Sequence, residues 1–312
     1  MESQSSARHA ALYNFWERTN NTSISRQLPT PAEWNEQVFY LSQSGIGTEE
    51  ALRFLYNTQP SFDVFLEWLR LTYIPGHEPA TAYEGEALTQ TDHDFWKQNG
   101  YLVVPGVISA EQCAATRTAI WEYLEADAET PDSWYVANSG KNGMMLHLFQ
   151  HPALDSNRRQ PRIRKIYEEL YKSTDIYLLV DKVSFNPPET PANTFTGSPL
   201  HWDVSLQLPI PFILQGLLYL NDVSAADGAF HCVPGIHNNI DQWINSLPEG
   251  TDPRAAALRH LKPVPVPGNA GDLVIWHQAL PHCATPNKGT QPRMVQYIAY
   301  KPLNVADNLV WK

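Results

Sequence analysis

The sequence has little positive charge, few cysteines and no long apolar segment. Its 22 Lys and Arg residues face 33 Asp and Glu residues, and the net charge of −11 argues against nucleic acid or an anionic membrane as a partner. The three cysteines form no CxxC motif, which indicates a reducing, cytoplasmic setting. Residues 1–11 lack the apolar core of a signal peptide, and no run reaches the length of a membrane span. A small molecule is therefore the expected partner.

The residues that are present suit a large folded domain. The chain has 312 residues, of which 43% are hydrophobic and ten are tryptophan, so the material for a core is ample. This composition excludes a disordered or disulfide-stapled chain. The length allows one large domain, or one domain with an appendage.

The first quarter of the chain differs from the rest. Apolar residues spaced by three and four predict helices over residues 6–73, and a stretch rich in Pro and Gly follows over residues 74–85. We therefore expect an N-terminal helical segment with its linker over residues 1–85 and a second domain over residues 86–312. The helices could mediate homo-oligomerisation, cover an active site or bind a partner.

The second domain is predicted to have a mainly β core flanked by helices. Short helices are expected around residues 92–98, 110–126 and 161–171, and another helical interruption over residues 240–261. Short apolar runs with β-branched residues, separated by Pro and Gly, indicate strands of a sandwich or barrel. These runs cover residues 176–185, 212–220, 228–233, 272–276 and 294–300.

Two histidines and an aspartate have the pattern of an iron site. His201 and Asp203 are two residues apart, so both side chains point to the same face of an extended strand. His282 comes just after a predicted strand, and the three residues together match the two-histidine, one-carboxylate ligand set of non-haem Fe(II) oxygenases. His277 is the competing histidine. We favour His282 because Arg293 follows it at a suitable distance, at the start of the last strand.

Arg293 is the candidate anchor for a carboxylate. A cation inside an apolar sheet is costly unless it is paired. The planar guanidinium of arginine can bind a carboxylate through two parallel hydrogen bonds, which suits a cosubstrate that bears one.

Over roughly residues 88–303, the sequence resembles the phytanoyl-CoA dioxygenase-like family of Fe(II)/2-oxoglutarate oxygenases. The family's opening helix-strand-helix is similar to residues 88–109, and its "G…PGSH" loop is similar to residues 228–237, with Ile236 where serine is usual. Its C-terminal signature resembles residues 271–293. The resemblance implies a double-stranded β-helix (jelly roll), with His201, Asp203 and His282 binding iron and Arg293 binding 2-oxoglutarate.

The chain departs from the family at one cosubstrate position. Many relatives have a small hydroxyl residue two positions after the distal histidine, and here Ala284 occupies it, followed by Thr285. Further cosubstrate candidates lie on strands before and after the HxD motif: Lys182, Ser184, Asn186 and Gln215. Halogenating relatives replace the carboxylate ligand with a small residue, so the presence of Asp203 favours oxygenation.

The resemblance implies a hydroxylase that uses Fe(II), 2-oxoglutarate and O2 on an unactivated C–H bond of a small metabolite and releases succinate and CO2. The candidate substrate contacts are Trp202 and, in a glycine-containing loop, Trp134, Tyr135 and His147. An acyl-CoA substrate is not expected, because these loops contain no concentration of cations for its phosphates.

Three alternatives remain open. The same cofactors could support desaturation or rearrangement of a natural-product intermediate. A cupin-like metal-binding protein without oxygenase activity would share the three ligands but would not need Arg293. A zinc hydrolase on the same ligands would need neither 2-oxoglutarate nor oxygen.

Overall fold

The computed structural model describes residues 2–21, 28–72, 82–195 and 198–312. Four helices come first, as predicted: α1 (Glu2–Asn20), α2 (Pro31–Gln43), α3 (Thr48–Thr58) and α4 (Phe62–Thr72). Thr30 begins α2 with a reciprocal capping box, in which its side chain accepts from the Glu33 amide while the Glu33 carboxylate accepts from the Thr30 amide. Most of the predicted linker, residues 74–81, lies outside the described residues.

The four N-terminal helices share a core of their own. Leu12 and Phe15 from α1 pack with Leu41, Leu55 and Phe65 from the other three, and all five side chains are buried. This apolar core draws on every helix of the group, so the four helices pack as one unit.

The remaining chain contains six α-helices and thirteen strands among the residues described. The helices are α5 (Gln90–Asn99), α6 (Ala110–Leu124), α7 (Pro152–Arg158), α8 (Pro161–Tyr171), α9 (Ile240–Ser246) and α10 (Pro253–His260). The strands are β1 (Tyr101–Val104), β2 (Lys141–Asn142), β3 (Met145–Leu146), β4 (Ile176–Leu179), β5 (Val183–Asn186), β6 (Ser198–His201), β7 (Leu214–Tyr219), β8 (Phe230–Cys232), β9 (Val264–Val266), β10 (Leu273–His277), β11 (His282–Ala284), β12 (Arg293–Tyr297) and β13 (Ala299–Pro302).

The strands form antiparallel sheets, which confirms the mainly β core. A seven-stranded sheet has the order β1-β10-β7-β12-β5-β3-β2, a four-stranded sheet has the order β6-β11-β8-β9, and β13 pairs with β4. Apolar residues of the two larger sheets, among them Tyr219, Val274 and Phe230, meet in one buried cluster. No helix among the described residues has the length and apolar character needed to cross a membrane.

Two predicted elements are divided in the structure. The helical stretch over residues 240–261 is two helices, α9 and α10. The apolar run over residues 176–185 forms two strands in different sheets, β4 and β5. The strand structure is interrupted between them at Val180, Asp181 and Lys182, and this segment is called the break between β4 and β5. The carbonyl of Asp181 is used there by Arg158 rather than by a neighbouring strand.

Candidate metal centre

The candidate ligands come together through the pairing of β6 with β11. The two strands are antiparallel, and His282 lies directly opposite His201 in their register. Asp203 follows His201 by two residues, just beyond the end of β6. Three side chains that span about eighty residues of sequence therefore meet at one end of the four-stranded sheet.

The ligand atoms of these side chains converge. His201 Nε2 lies 3.3 Å from Asp203 Oδ1, and His282 Nε2 lies 3.1 Å from Asp203 Oδ2. The imidazole centroids are 4.6 Å apart, and one ligand atom from each residue lies within 4.8 Å of the others. Three donors at this spacing occupy one side of a candidate metal position and leave the other side open.

Backbone carbonyls fix both imidazoles in the orientation that a metal requires. His201 Nδ1 lies 2.7 Å from the carbonyl of Pro199, and His282 Nδ1 lies 3.2 Å from the carbonyl of Leu280. A carbonyl can only accept, so each Nδ1 carries a proton, and each Nε2 is the nitrogen left for Asp203 or for a metal. Both Nε2 atoms face the carboxylate of Asp203. A protonated Nε2 donates to that carboxylate, and a deprotonated Nε2 has the lone pair that a cation needs.

The electrostatics of the three groups are strongly coupled. Burial opposes the ionisation of Asp203, but hydrogen bonds and charge from His201 and His282 outweigh it and hold the pKa of Asp203 well below its usual range. Burial likewise opposes the charging of His201, and Asp203 reverses this and raises the pKa of that imidazole. The carboxylate is thus ionised, as a metal ligand must be.

Two further side chains orient Asp203. Gln215 on β7 donates to Asp203 Oδ2 over 2.8 Å and accepts a 2.9 Å hydrogen bond from the indole of Trp276 on β10. Arg254 at the start of α10 donates to the carbonyls of Trp202 and Val204, at 2.8 and 2.6 Å. Those carbonyls flank Asp203 on both sides, so Arg254 fixes the peptide segment that presents the carboxylate.

Arg293 is a buried cation with unused hydrogen-bonding capacity. It is 2% exposed, and it forms no ion pair with any residue that the structure describes. Its Nη1 donates to the carbonyl of Gly228 over 2.6 Å, and its Nη2 lies 3.3 Å from the hydroxyl of Ser184. Its buried Nε has no partner at all. An unpaired buried guanidinium is costly, so this site is suited to an incoming carboxylate.

A glycine makes the contact with Arg293 possible. Gly228 has φ +72°, and a Cβ there would lie 2.7 Å from the Asn186 amide nitrogen and 2.9 Å from the Thr285 carbonyl. The Asn186 side chain donates to that same carbonyl of Thr285 over 3.3 Å. Asn186 and Thr285 therefore support the strand and turn around Arg293. Neither lines the cavity at the metal centre.

His277 is separate from the ligand group. Its Nδ1 accepts a 2.9 Å hydrogen bond from the amide of Ala279, so the imidazole is neutral. Burial, together with the nearby His237, lowers the pKa of His277 to about 4. His277 lies outside the group of three in the part of the chain that the structure describes.

The sequence-predicted substrate contacts are distributed differently from the ligands. Trp202 is 1% exposed and donates to the carbonyl of Ala279, within an apolar cluster. Trp134 is also buried, packs beside Trp121 and donates to the Asp127 carbonyl. Neither indole lines the cavity at the metal centre.

Tyr135 and His147 also lie outside the walls of that cavity. Tyr135 donates to the carbonyl of Pro188 and faces a separate pocket. His147 lies 3.9 Å from the Glu49 carboxylate. Burial is the main reason that the pKa of His147 is lowered.

A cavity of about 500 Å³ opens at the metal centre. Its walls include the three candidate ligands, Gln215, Arg293 and Ala284, together with Lys182, which pairs with Glu49 of α3. From the predicted loop, Met144 and Met145 reach this cavity. A space of this size suits a small molecule beside a cosubstrate.

Sequence reasoning missed Arg254 and Trp276, and it left a cover over the active site as one of three open roles for the N-terminal helices. Arg254 acts through backbone carbonyls, which leave no side-chain pattern in the sequence. Trp276 stands beside His277 in a strand that was recognised, but its hydrogen bond to Gln215 depends on the register of β10 with β7.

Comparison with known proteins gives consistent results. The sequence profile of the family described as phytanoyl-CoA dioxygenase matches residues 96–295, more than half of the chain. A Dictyostelium discoideum protein named after phytanoyl-CoA dioxygenase is 23% identical in an alignment 269 residues long, and the match covers 70% of this chain and 76% of that protein.

Solved structures resemble the fold. The non-heme alpha ketoglutarate dependent carbocyclase SnoK from nogalamycin biosynthesis is 22% identical, with a TM-score of 0.54 over 72% of this chain and 88% of that chain. The epimerase SnoN from the same biosynthesis is 21% identical, with a TM-score of 0.53 over 70% and 85%. These likenesses confirm the predicted jelly-roll core.

Proposed function

The chain belongs to the phytanoyl-CoA dioxygenase family, and from that premise we propose that it is an Fe(II)- and 2-oxoglutarate-dependent oxygenase that hydroxylates a small molecule. Family membership makes it an enzyme of the dioxygenase type. The proposal adds that the metal is iron, that the cosubstrate is 2-oxoglutarate and that the reaction is a hydroxylation.

The observation that carries the proposal is the pairing of an open three-ligand cluster with the unsatisfied guanidinium of Arg293. A site that only held a metal would need His201, Asp203 and His282 but no buried cation. Arg293 instead presents an unpartnered Nε beside the same cavity that the ligands line. The donor set fits Fe(II), and a guanidinium with an unpartnered Nε and no ion pair fits the distal carboxylate of 2-oxoglutarate.

In this proposal His201, Asp203 and His282 would hold the iron, and a bound Fe(II) would supply the activation of dioxygen that side chains cannot perform. Arg293 would fix one end of 2-oxoglutarate and so orient its keto acid end toward the ligands. Ser184 would help at the same carboxylate, because its hydroxyl already lies 3.3 Å from Nη2 of Arg293. This contact partly replaces the hydroxyl that Ala284 lacks.

Gln215 has a distinct part in the proposal. It donates to Oδ2 of Asp203, and Trp276 fixes its carbonyl end. Because one oxygen of the Asp203 carboxylate accepts this hydrogen bond, the other oxygen is the one left to bind a metal.

The presence of Asp203 also bears on the outcome of the reaction. Because Asp203 occupies the carboxylate position, oxygenation is favoured over halogenation.

The first test is anaerobic titration of the Fe(II)-loaded protein with 2-oxoglutarate, followed by visible absorption. We expect a weak charge-transfer band in the wild type, its loss in Arg293→Met, and an unchanged band in Arg70→Met. Arg70 is an exposed arginine on α4 that pairs with Glu67, so the control makes the same substitution away from the cavity.

A metal-loaded protein without the band would contradict the proposal and would favour the cupin-like metal-binding protein or the zinc hydrolase. Where the band forms, admission of oxygen with candidate substrates and mass analysis of the products separates hydroxylation from desaturation or rearrangement. A gain of one oxygen atom in the product is the expected result.

A further inference from the structure

The N-terminal helices form one wall of the cavity at the metal centre. Trp34, Val38 and Ser42 of α2 line it, and their spacing by four places them on one face of the helix. The wall continues through residues 46–49, at the connection between α2 and α3. The candidate ligands and Arg293 line other walls of the same space.

Specific hydrogen bonds hold this wall against the β core. The amide of Gln150 donates to the carbonyl of Gly45 over 2.9 Å and to the carboxylate of Glu50 over 2.8 Å. The hydroxyl of Ser42 donates to the carbonyl of Leu178 on β4. Asn35 of α2 donates to the carbonyl of Leu303 over 2.9 Å. Two of these contacts fix the position of α2, and those of Gln150 fix its connection to α3 and the start of α3.

The backbones of the N-terminal helices and of the β core also come into direct contact, at a seam formed by Gly47 and Val180. A Cβ at Gly47 would lie 2.4 Å from the carbonyl oxygen of Val180, so only glycine allows the approach. Two residues further on, Glu49 forms an ion pair with Lys182, in the same break between β4 and β5. The interruption of the predicted strand is therefore where the N-terminal helices dock.

The charges of the cavity describe what can bind there. Apart from the candidate ligands and Arg293, the acidic and basic side chains in the described lining that are charged near neutral pH are three carboxylates and two ammonium groups. Both ammonium groups are already paired, Lys182 with Glu49 and Lys301 with Asp307 at 2.7 Å. Asp181 is the third carboxylate. The carboxylates therefore outnumber the ammonium groups by one, and neither Lys182 nor Lys301 is free to bind a phosphate.

We infer that the N-terminal helices select the substrate, that Trp34 and Val38 contact its body, and that this body is apolar and carries no negative charge. The inference rests on the proposed function and names the substrate class for the same site. Trp34 and Val38 offer an apolar face, and a polyanion such as an acyl-CoA would find only paired ammonium groups.

The test uses the full-length protein with Mn(II) in place of iron and saturating 2-oxoglutarate. The probes are 1-pyrenemethanol and 1-pyrenecarboxylate, which share a skeleton and differ in charge, and binding is followed by pyrene fluorescence. We expect the wild type to bind 1-pyrenemethanol at least about tenfold more tightly than the carboxylate. Equal affinities, or no binding of 1-pyrenemethanol, would overturn the inference.

Substitutions then locate the binding site. Val38→Trp fills the cavity from α2 and should weaken the binding of 1-pyrenemethanol by about tenfold or more, and Val38→Met should weaken it less. Val64→Trp is the matched control, because Val64 lies 53% exposed on α4 and away from the cavity. An unchanged affinity in both Val38 variants, or an equal loss in Val64→Trp, would refute the assignment.

The same samples, loaded anaerobically with Fe(II), report on the proposed function. If the 2-oxoglutarate band is normal but the two probes bind equally, the inference about the N-terminal helices is wrong and the proposed oxygenase function stands. If the wild type shows no band but binds the uncharged probe selectively, the proposed oxygenase function is wrong and the inference about the N-terminal helices stands. Melting curves of the Val38 variants show whether a loss of binding comes from unfolding.

Discussion

His282 on β11 lies directly opposite His201 on β6, as an antiparallel cross-strand pair. The same pairing aligns both imidazoles toward Asp203, which follows β6 by two residues. Each Nδ1 is engaged by a carbonyl of its own strand or of the adjoining turn, so neither ring needs the metal to hold its orientation. The site is therefore preorganised by backbone pairing.

Removal of Asp203 should abolish metal binding without unfolding the protein. The Asp203 side chain is about half exposed, at 49%, so its loss leaves no apolar cavity. We expect Asp203→Ala to weaken Mn(II) binding by more than about 100-fold, with a melting curve that still shows a cooperatively folded protein. Asp63→Ala on α4 removes a carboxylate far from the cavity and should change neither quantity. Normal metal affinity in Asp203→Ala would contradict the ligand assignment.

The two histidines near β10 should behave differently. His282→Ala removes one of the converging nitrogen atoms and should abolish tight metal binding. His277→Ala removes the acceptor of the Ala279 amide and a ring that packs beside Phe212 and His237, so metal should still bind, with some loss of stability. Metal titration of both variants decides the matter, and the opposite order would identify His277 as the ligand.

The buried neutral His277 should also make stability depend on pH. Its folded-state pKa of about 4 lies below the ordinary value of 6.5, so the unfolded chain takes up a proton that the folded protein refuses. The free energy of unfolding should therefore fall as the pH falls from 6.5 toward 4, by up to about 3 kcal/mol from this group, with no contribution above pH 6.5.

Denaturant titrations across that range measure this effect. His277→Asn keeps an acceptor for the Ala279 amide and removes the titrating ring, so its loss of stability with acid should be smaller than that of the wild type. His260→Asn, at an exposed histidine of α10, should follow the wild type. Parallel curves for wild type and His277→Asn would show that another group is responsible.

Local features of this fold could be predicted from the sequence, and non-local ones could not. The HxD spacing, the β strands and the capped helices depend on neighbouring residues, and the structure has them. The register that sets His282 opposite His201 depends on a pairing across about eighty residues. For the same reason the buried position of Trp134 was not predicted, since a mixed loop pattern does not tell which side chain turns inward.

Arg254 should act as a positioning residue for Asp203. Arg254→Met removes the donors to the carbonyls of Trp202 and Val204 and frees the segment between them. We expect Mn(II) affinity to fall by about tenfold, with partial rescue in Arg254→Lys, which keeps one donor group. Arg259→Met, on the exposed end of the same helix, is the control. An unchanged metal affinity in Arg254→Met, measured by Mn(II) titration, would leave Arg254 with a structural part only.

Gly47 should be required for docking of the N-terminal helices. Its φ of −76° is accessible to alanine, so Gly47→Ala has no backbone strain and differs only by a methyl group aimed at the carbonyl of Val180. Relief of that overlap must separate α3 from the break between β4 and β5, which we expect to cost about 1–3 kcal/mol of unfolding free energy. Thr58→Ala, at the exposed end of α3, should lower the unfolding free energy by less.

Gly47→Ala should also affect binding in the cavity. Because the metal ligands lie on other walls, the 2-oxoglutarate band should survive in Gly47→Ala while 1-pyrenemethanol binding weakens. A fully stable Gly47→Ala protein with normal probe binding would mean that the seam tolerates a methyl group and does not depend on this contact.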